Sequence, residues 1–301
     1  RISGRRKLTA WLSGGNDSSL LVAVARQHFS GEIETIFVSF EDYDRNYCNE
    51  AAYVSKKFDT VHREIVLTQK DYANLISETI SAIQSPINHP GTIGQTASLV
   101  DQGEFNEMIL SGKGADTVFG GPLWAPMIFL SYLGKFLHPT IREKIDRLSK
   151  KIESKSFLGK ASSKMLKALG TPLNSYLVLG HTFGNEDDVD SVGGTGIWRN
   201  AVREWERYLR PNGFLNELFY FDMMDWHPAN YDAEKRLCFH YGVVPCYPFL
   251  DYELISNSLR LPPYLRYNYK TKKASLKKYA LNFFDHDFIY KPKEGFGVPL
   301  G

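Results

Sequence analysis

An apolar run, Leu8-Thr9-Ala10-Trp11-Leu12, leads directly into Ser13-Gly14-Gly15-Asn16-Asp17-Ser18-Ser19. The first run is typical of a buried strand, and the second is typical of a glycine turn that opens a helix. Glycines let the backbone approach an anion closely, and the amides of a helix N-terminus point towards it. The hydroxyls of Ser13, Ser18 and Ser19 add further donors. The stretch therefore predicts a phosphate cradle.

A carboxylate inside this cradle needs an explanation. Asp17 would repel a phosphate unless a divalent cation lies between the two, so the motif indicates magnesium as well as a nucleotide. Serine and aspartate are also ordinary N-cap residues, so a serine-capped turn before an amphipathic helix remains an alternative.

A second stretch has the same design. Met108-Ile109-Leu110 leads into Ser111-Gly112-Lys113-Gly114-Ala115-Asp116, again an apolar strand followed by glycines and a carboxylate. Open α/β sheets bind ligands outside the carboxyl ends of their strands, so we expect Asp17 and Asp116 to meet around one metal ion. A tight turn that needs positive φ is the alternative.

Two further stretches lie near the end of the chain, Tyr247-Pro248-Phe249-Leu250-Asp251 and Lys291-Pro292-Lys293-Glu294-Gly295-Phe296-Gly297-Val298-Pro299-Leu300. Taken in order with the two glycine loops, they resemble the synthetase domain of the asparagine synthetase family. Members of that family carry an SGGxDSS loop, an SGEGxDExFGG loop, a PFLD segment and a tail close to PKxGFGVP. The resemblance runs from Leu8 to Leu300.

The resemblance implies an ATP-dependent ligase that activates a carboxylate as its acyl-adenylate, releases pyrophosphate and lets an amine displace AMP. It implies ATP and Mg²⁺ as cofactors, with Asp17 and Asp116 sharing the metal and Lys293 acting on charge that develops during the reaction. The implied nucleotide-binding residues are Ser13, Gly14, Gly15, Asp17, Ser18 and Ser19 for the pyrophosphate, Val38, Ser39 and Phe40 for the adenine, and the backbone of Ser111 and Gly112.

Four positions depart from the family pattern. Lys113 stands where the family has the glutamate of SGEG, and Thr117 stands where it usually has a second acid. Val244 and Cys246 replace the glutamate and arginine that precede PFLD. In asparagine synthetases these charged groups recognise the small amino-acid substrate, and charge differences matter most in a desolvated pocket. Aspartate is therefore not expected to be the substrate.

The adenylation half thus matches the family, whereas the acceptor half differs. We expect amide formation on another small-molecule or peptide carboxylate, including ring closure of the kind that β-lactam synthetases and lasso-peptide macrolactam cyclases perform. A glutamine-dependent asparagine synthetase and a non-catalytic nucleotide-binding pseudo-enzyme are the alternatives. The family implies a glutaminase-like domain or partner, which would lie upstream of Arg1.

Composition excludes other classes of protein. The net charge of +2 over 301 residues does not favour nucleic-acid binding. Within the basic run from Lys270 to Lys278, Lys277 and Lys278 are interpreted as part of a solvated helix face. No apolar run approaches the ~18 residues that span a bilayer, so no membrane segment is expected. Three cysteines without metal-ligand spacing fit a cytoplasmic location.

The order of the predicted elements indicates the fold class. Apolar strands alternate with helical stretches up to residue 121, which predicts an α/β doubly wound parallel sheet. The resemblance identifies this region as a PP-loop ATP pyrophosphatase, similar to adenine nucleotide alpha hydrolases. Residues 122–301 show helical spacing and no strand pattern, so we expect a helical C-terminal lobe that completes the synthetase domain.

Overall fold

The structure, a computed structural model, describes residues 6–41, 45–87, 89–100, 108–120, 130, 133–134, 136–152, 157–170, 227–266 and 271–291. The described strands are β1 (Lys7–Trp11), β2 (Glu32–Phe40), β3 (Val61–Leu67), β4 (Met108–Leu110) and β5 (Val244–Cys246). They form one parallel sheet in the order β3-β2-β1-β4-β5.

Helices connect and cover these strands. The described helices are α1 (Asn16–His28), α2 (Arg45–Lys57), α3 (Gln69–Ile83), α4 (Gly91–Val100), α5 (Ala115–Phe119), α6 (Pro139–Lys151), α7 (Phe157–Gly170), α8 (His227–His240), α9 (Tyr252–Arg260), α10 (Pro263–Arg266), α11 (Ala274–Ala280) and α12 (His286–Tyr290). None of the helices in the described part of the chain is long and apolar enough to cross a membrane.

The central strands β1, β2 and β4 are largely buried, as expected for parallel strands with helices on either side. Leu8 of β1 and Leu12, which directly follows β1, are fully buried in a core cluster that also contains Leu20 of α1. On another part of β1, the indole Nε1 of Trp11 donates to Ser98 Oγ of α4 at 2.9 Å. The doubly wound parallel sheet predicted from the sequence is confirmed.

The strand order creates a crevice at the centre of the sheet. The chain runs from β1 outward through β2 to β3, and it returns to β4 on the opposite side of β1. The connections that leave β1 and β4 therefore diverge to opposite sides, and this topological switch point is where open α/β sheets bind ligands. The two glycine loops follow β1 and β4, so both start at this crevice.

The expectation that strands end at residue 121 is wrong, because β5 pairs in parallel with β4 through Met108↔Val244 and Leu110↔Cys246. The segment shows no strand signal because it is three residues long and contains Pro245. Proline has no N–H for a ladder hydrogen bond and is found on edge strands, which is the position of β5.

Contacts group the chain differently from the expected division at residue 121. Arg1–Gly121 and His227–Gly301 form one compact unit, and Pro122–Trp226 form another. The segment His227–Gly301 belongs to the first unit for two reasons. Its strand β5 pairs with the sheet, and Leu276 of α11 and Ile289 of α12 are buried in the core. Within the second unit, α6 and α7 pack together, and Ser163 Oγ donates to the Ser149 carbonyl at 2.8 Å.

Candidate functional site

The loop after β1 is closed by its own hydroxyl groups. The Ser13 N–H donates to Ser18 Oγ at 3.1 Å, and the hydroxyl oxygens of Ser13 and Ser18 lie 3.0 Å apart. Ser18 Oγ also donates to the Gly15 carbonyl at 3.2 Å. Gly14 has φ +72°, in the left-handed region that glycine adopts without a steric penalty. The loop therefore curls over the first turn of α1.

The serine-capped alternative does not describe this helix start. Gly15 is the N-cap residue, and within the described ranges this helix start has no side-chain cap hydrogen bond. The hydroxyl of Ser19 is buried and has no hydrogen-bond partner within the described part of the chain. Asn16 Nδ2 donates to the Ile289 carbonyl at 2.9 Å, which ties the helix start to α12. Uncapped amides at the start of a 13-residue helix fit an anion.

The loop after β4 packs directly on this cradle. A Cβ on Gly112 would lie 3.2 Å from the backbone nitrogen of Ser18, closer than side chains normally approach. Gly114 has φ +95°, and a Cβ there would lie 2.6 Å from Leu250 Cδ2. The buried Ser111 donates its N–H to the Cys246 carbonyl at 2.9 Å. Gly112 and Gly114 are therefore needed, because a side chain at either position would keep the two loops and the segment after β5 from packing this closely.

Two carboxylates from these loops converge on one lysine. Lys273 Nζ lies 2.6 Å from Asp17 Oδ2 and 2.8 Å from Asp116 Oδ1. The sequence predicted that the two aspartates would meet around one metal ion, and in the structure they meet around the ammonium of Lys273. That they share a magnesium ion stays a prediction.

The position of Lys273 is tightly constrained. Only 9% of its side chain is exposed, and its backbone has φ +52°, a left-handed conformation that costs a residue other than glycine about 1 kcal/mol or more. Its N–H donates to the Gly120 carbonyl at 3.3 Å. Burial alone lowers the pKa of Lys273, but the charges and hydrogen bonds of Asp17 and Asp116 outweigh this effect and raise that pKa. The ammonium therefore stays charged.

The aspartates also fit a magnesium ion. Asp17 Oδ1 is buried and has no hydrogen-bond partner among the described residues, so an oxygen ligand remains available there. Magnesium takes one or two carboxylates together with phosphate oxygens and water, and it does not need a complete cage of side chains. In the described ranges no group of three or more His, Cys, Asp or Glu side chains is arranged to hold a metal. A two-carboxylate site beside a phosphate cradle agrees with that finding.

The three residues expected to border the adenine lie at the carboxyl end of β2, the neighbour of β1. Val38 and Phe40 are buried, and the Phe40 ring meets Tyr72 edge to face with centroids 5.7 Å apart. Ser39 Oγ donates to Glu64 Oε1 at 2.8 Å. These residues lie on the opposite side of β1 from β4, and their contact with adenine stays a prediction.

The positions that depart from the family pattern have varied surroundings. Lys113 forms an ion pair with Glu234 of α8, 2.7 Å from Nζ to Oε2. Thr117 is fully buried in α5, whereas Val244 is half exposed on the edge strand. The carbonyl of Cys246 accepts the hydrogen bond from Ser111. Of these four positions, Lys113 brings a charged side chain to the site.

Sequence reasoning missed two residues of the site and could not place a third. Lys273 belongs to the basic run from Lys270 to Lys278, to which no site role was assigned, and Glu234 lies in a helix with no recognised motif. The KxxL spacing of Lys273 and Leu276 contains no chemical signal that separates a buried lysine from an exposed one. Lys293 lies outside the residues that the structure describes, so its role stays a prediction.

Comparison with known proteins gives a consistent match. The family model described as asparagine synthase matches residues 1–301. The chain is 24% identical to asparagine synthetase [glutamine-hydrolyzing] 3 of Bacillus subtilis, covering 94% of this chain and 44% of that protein. It is 22% identical to asparagine synthetase [glutamine-hydrolyzing] 1 of the same organism, with 97% and 46% covered. A putative asparagine synthetase of Mycobacterium tuberculosis is 21% identical, with 97% and 45% covered. The chain spans about half the length of the curated relatives that it matches.

Proposed function

The chain belongs to the asparagine synthase family, and on that premise we propose that it is an ATP-dependent ligase that activates a carboxylate as its acyl-adenylate and transfers the acyl group to an amine. One observation carries the proposal: two glycine loops meet at the switch point of the sheet, and Asp17 and Asp116 converge there on one cation. A phosphate cradle beside paired carboxylates fits the triphosphate of a nucleotide with its magnesium ion.

The proposed reaction has two steps. A carboxylate oxygen of the substrate attacks the α-phosphorus of ATP, the bond to the β-phosphate oxygen breaks, and pyrophosphate leaves with the electron pair. The amine nitrogen then attacks the acyl carbon, the bond from that carbon to the AMP oxygen breaks, AMP leaves with the electron pair, and the nitrogen gives a proton to water. Ser13, Gly14, Gly15, Ser18 and Ser19 hold the leaving pyrophosphate through backbone amides and hydroxyls.

Positive charge at the cradle lowers the barrier of the first step, because negative charge builds on the leaving phosphate. Asp17 and Asp116 would hold a magnesium ion, which would supply part of that charge when bound. Lys273 supplies more, since its ammonium is already fixed between the same two carboxylates. Ser111 and Gly112 contact the nucleotide through their backbone, and Val38, Ser39 and Phe40 border the adenine.

The identities of the carboxylate and the amine form a separate part of the proposal. Glutamine-dependent asparagine synthesis, the activity in the names of the relatives, is the alternative. Lys113 argues against it, because this lysine replaces a family acid and pairs with a buried glutamate. We therefore propose that the acceptor is not the aspartate and ammonia pair, and that a peptide or metabolite carboxylate forms an amide or a macrolactam. A glutaminase-like domain or partner would supply ammonia if the enzyme uses it.

ATP–pyrophosphate exchange tests the proposal directly. The purified chain is incubated with ATP, magnesium and labelled pyrophosphate, together with a panel of amino acids, simple carboxylic acids and short peptides that contain aspartate or glutamate. Exchange that depends on one class of carboxylate supports an adenylating ligase. ATP binding without exchange for any carboxylate would instead support the non-catalytic alternative.

The first prediction concerns aspartate. We expect no asparagine above background from aspartate, ATP and ammonia, because Lys113, Val244 and Cys246 stand where the family has its charged recognition groups. The measurement is amino-acid analysis of the products, with an authentic asparagine synthetase assayed alongside as the positive control. Robust asparagine formation would overturn this part of the proposal.

The second prediction concerns Lys293. We expect Lys293→Ala to lower turnover by roughly a hundredfold and to change ATP affinity by no more than a few fold, because charge in the transition state is the proposed target of this ammonium. Lys291→Ala is the matched control two residues away, since Lys291 pairs with Glu50 and lies 4.0 Å above the Phe288 ring. Equal losses of ATP binding and turnover in Lys293→Ala would make Lys293 a ground-state phosphate ligand.

A further inference from the structure

The backbone of Lys113 lies immediately beside the phosphate cradle. It follows Gly112, which packs against the backbone of Ser18 in the first turn of α1. It also lies at the carboxyl end of β4, on the side of β1 that faces away from β2. A charged side chain at this point is within the ligand-binding crevice of the sheet and not on a remote surface.

The ion pair of Lys113 is asymmetric. Glu234 is fully buried, whereas the Lys113 side chain is 33% exposed. Gln95 Nε2 of α4 donates to the same Glu234 oxygen that Lys113 contacts, so the carboxylate is held both from α4 and from the loop after β4. The negative end of the pair therefore lies in the protein interior, and the positive end is the one that a ligand can reach.

Three side chains near the Lys113–Glu234 pair, Tyr231, Tyr247 and His89, do not add a second positive charge. The rings of Tyr231 and Tyr247 lie 5.4 Å apart, and burial together with the charge of Glu234 raises the pKa of the Tyr247 hydroxyl. Burial and the charge of Lys113 lower the pKa of His89, which favours its neutral form. Lys113 is thus the positive charge that pairs with Glu234 on this side of the crevice.

Stability alone does not account for such a pair. Removing two ions from water costs several kcal/mol per ion, and well-packed apolar residues of similar volume are often as stabilising. A lysine that is anchored by a buried carboxylate loses little freedom when it binds an anion, so its position is preorganised. This property is useful at a binding site.

The sheet order assigns the ligand that meets Lys113. If the adenine lies at β2 and the phosphates lie at β1, then the carboxylate substrate lies at β4 and β5, beyond the α-phosphate. The substrate carboxylate and the triphosphate are both negative, and they must approach within bonding distance. A fixed cation between them offsets their repulsion.

We propose that Lys113 binds the carboxylate that is to be activated, and that Glu234 is the positioning residue that holds the ammonium in place. The inference rests on the proposed function, and it assigns to a lysine the recognition that other family members perform with different groups. The substrate class is an acyl donor that presents its reacting carboxylate as an anion to the β4 side of the crevice.

The test uses the carboxylate that gives the strongest ATP–pyrophosphate exchange in the panel. The Lys113→Met/Glu234→Gln double variant removes both charges while it preserves shape, so that no unpaired buried carboxylate remains. We expect a melting temperature close to that of the wild type, a KM for the carboxylate that is about 10- to 100-fold higher, and an ATP KM within about threefold. Glu234→Gln alone keeps the ammonium but loosens it, so we expect a rise of only a few fold.

A lysine at the other end of the same sheet provides the control. Lys7 lies at the amino end of β1 and pairs with Glu32 and Glu34, so Lys7→Met should leave both KM values unchanged. A wild-type carboxylate KM in the double variant would show that the pair only stabilises the fold. An equal rise in the ATP KM would make Lys113 a phosphate ligand. If the wild type catalyses no exchange with any carboxylate, the proposed function itself fails, and this inference fails with it.

Discussion

Lys273→Met is expected to lower both the stability and the activity of the protein. Asp17 Oδ2 and Asp116 Oδ1 each lie within 2.8 Å of the same Nζ, so removal of the ammonium leaves two carboxylates close together. Breaking a buried ion pair costs about 3–5 kcal/mol, and the cost here should lie near the lower end because Asp116 is 43% exposed. Loss of the Lys273 ammonium at the cradle should also reduce the rate of ATP–pyrophosphate exchange by about a hundredfold or more.

Thermal unfolding with and without magnesium measures the effect of Lys273→Met on stability. In the absence of nucleotide, magnesium should raise the melting temperature of Lys273→Met more than that of the wild type, because the freed carboxylates can then bind the ion. Lys278→Met, five residues further along and exposed on α11, is the control and should behave like the wild type. An unchanged melting temperature in Lys273→Met would show that the ion pairs contribute nothing to the fold.

The main features of the fold could be predicted because local patterns determine them. The strand over Met108–Leu110 was predicted with the observed bounds, and the predicted strand over Leu8–Leu12 lies one residue later than β1. The convergence of Asp17 and Asp116 could also be predicted, since it depends on a general rule about the carboxyl ends of parallel strands. These features need only the order of elements and the position of each glycine loop.

Lys273 could not be predicted for the opposite reason. Its partner Asp17 is 256 positions away, and the side chain stands in a run of lysines that resembles a solvated face. The left-handed backbone at Lys273 has no local cause such as glycine or asparagine, so tertiary contacts impose it. Glu234 is a similar case, because a glutamate in a helix is ordinarily exposed and nothing near it in sequence indicates burial.

Replacement of the aspartates has the second of the two largest expected effects. Asp17→Asn or Asp116→Asn should lower ATP–pyrophosphate exchange by about a hundred- to a thousandfold, because each removes a charged oxygen ligand from the proposed metal site. Either variant should still fold, since Lys273 keeps one carboxylate partner. Asp17→Asn should have the larger effect on stability, because Asp17 is 22% exposed and Asp116 is 43% exposed.

Asp71→Asn provides the control for a change from aspartate to asparagine. Asp71 forms a capping box with Thr68 at the start of α3, which follows the strand two positions along the sheet from β1, so this variant should lose little stability and keep full exchange. Residual exchange in Asp116→Asn should need a higher magnesium concentration for half-maximal rate than the wild type. Wild-type exchange at wild-type magnesium in either aspartate variant would show that the metal assignment is wrong.

The aspartate and lysine variants change the charge of the same site in opposite directions, which separates binding of a cation from general damage to the loops. Lys273→Met leaves two negative charges, so added magnesium should stabilise it. Asp17→Asn leaves one carboxylate that is already paired with the ammonium, so magnesium without nucleotide should not stabilise it. If both variants lose exchange but respond to magnesium alike, the carboxylates serve only to hold the lysine.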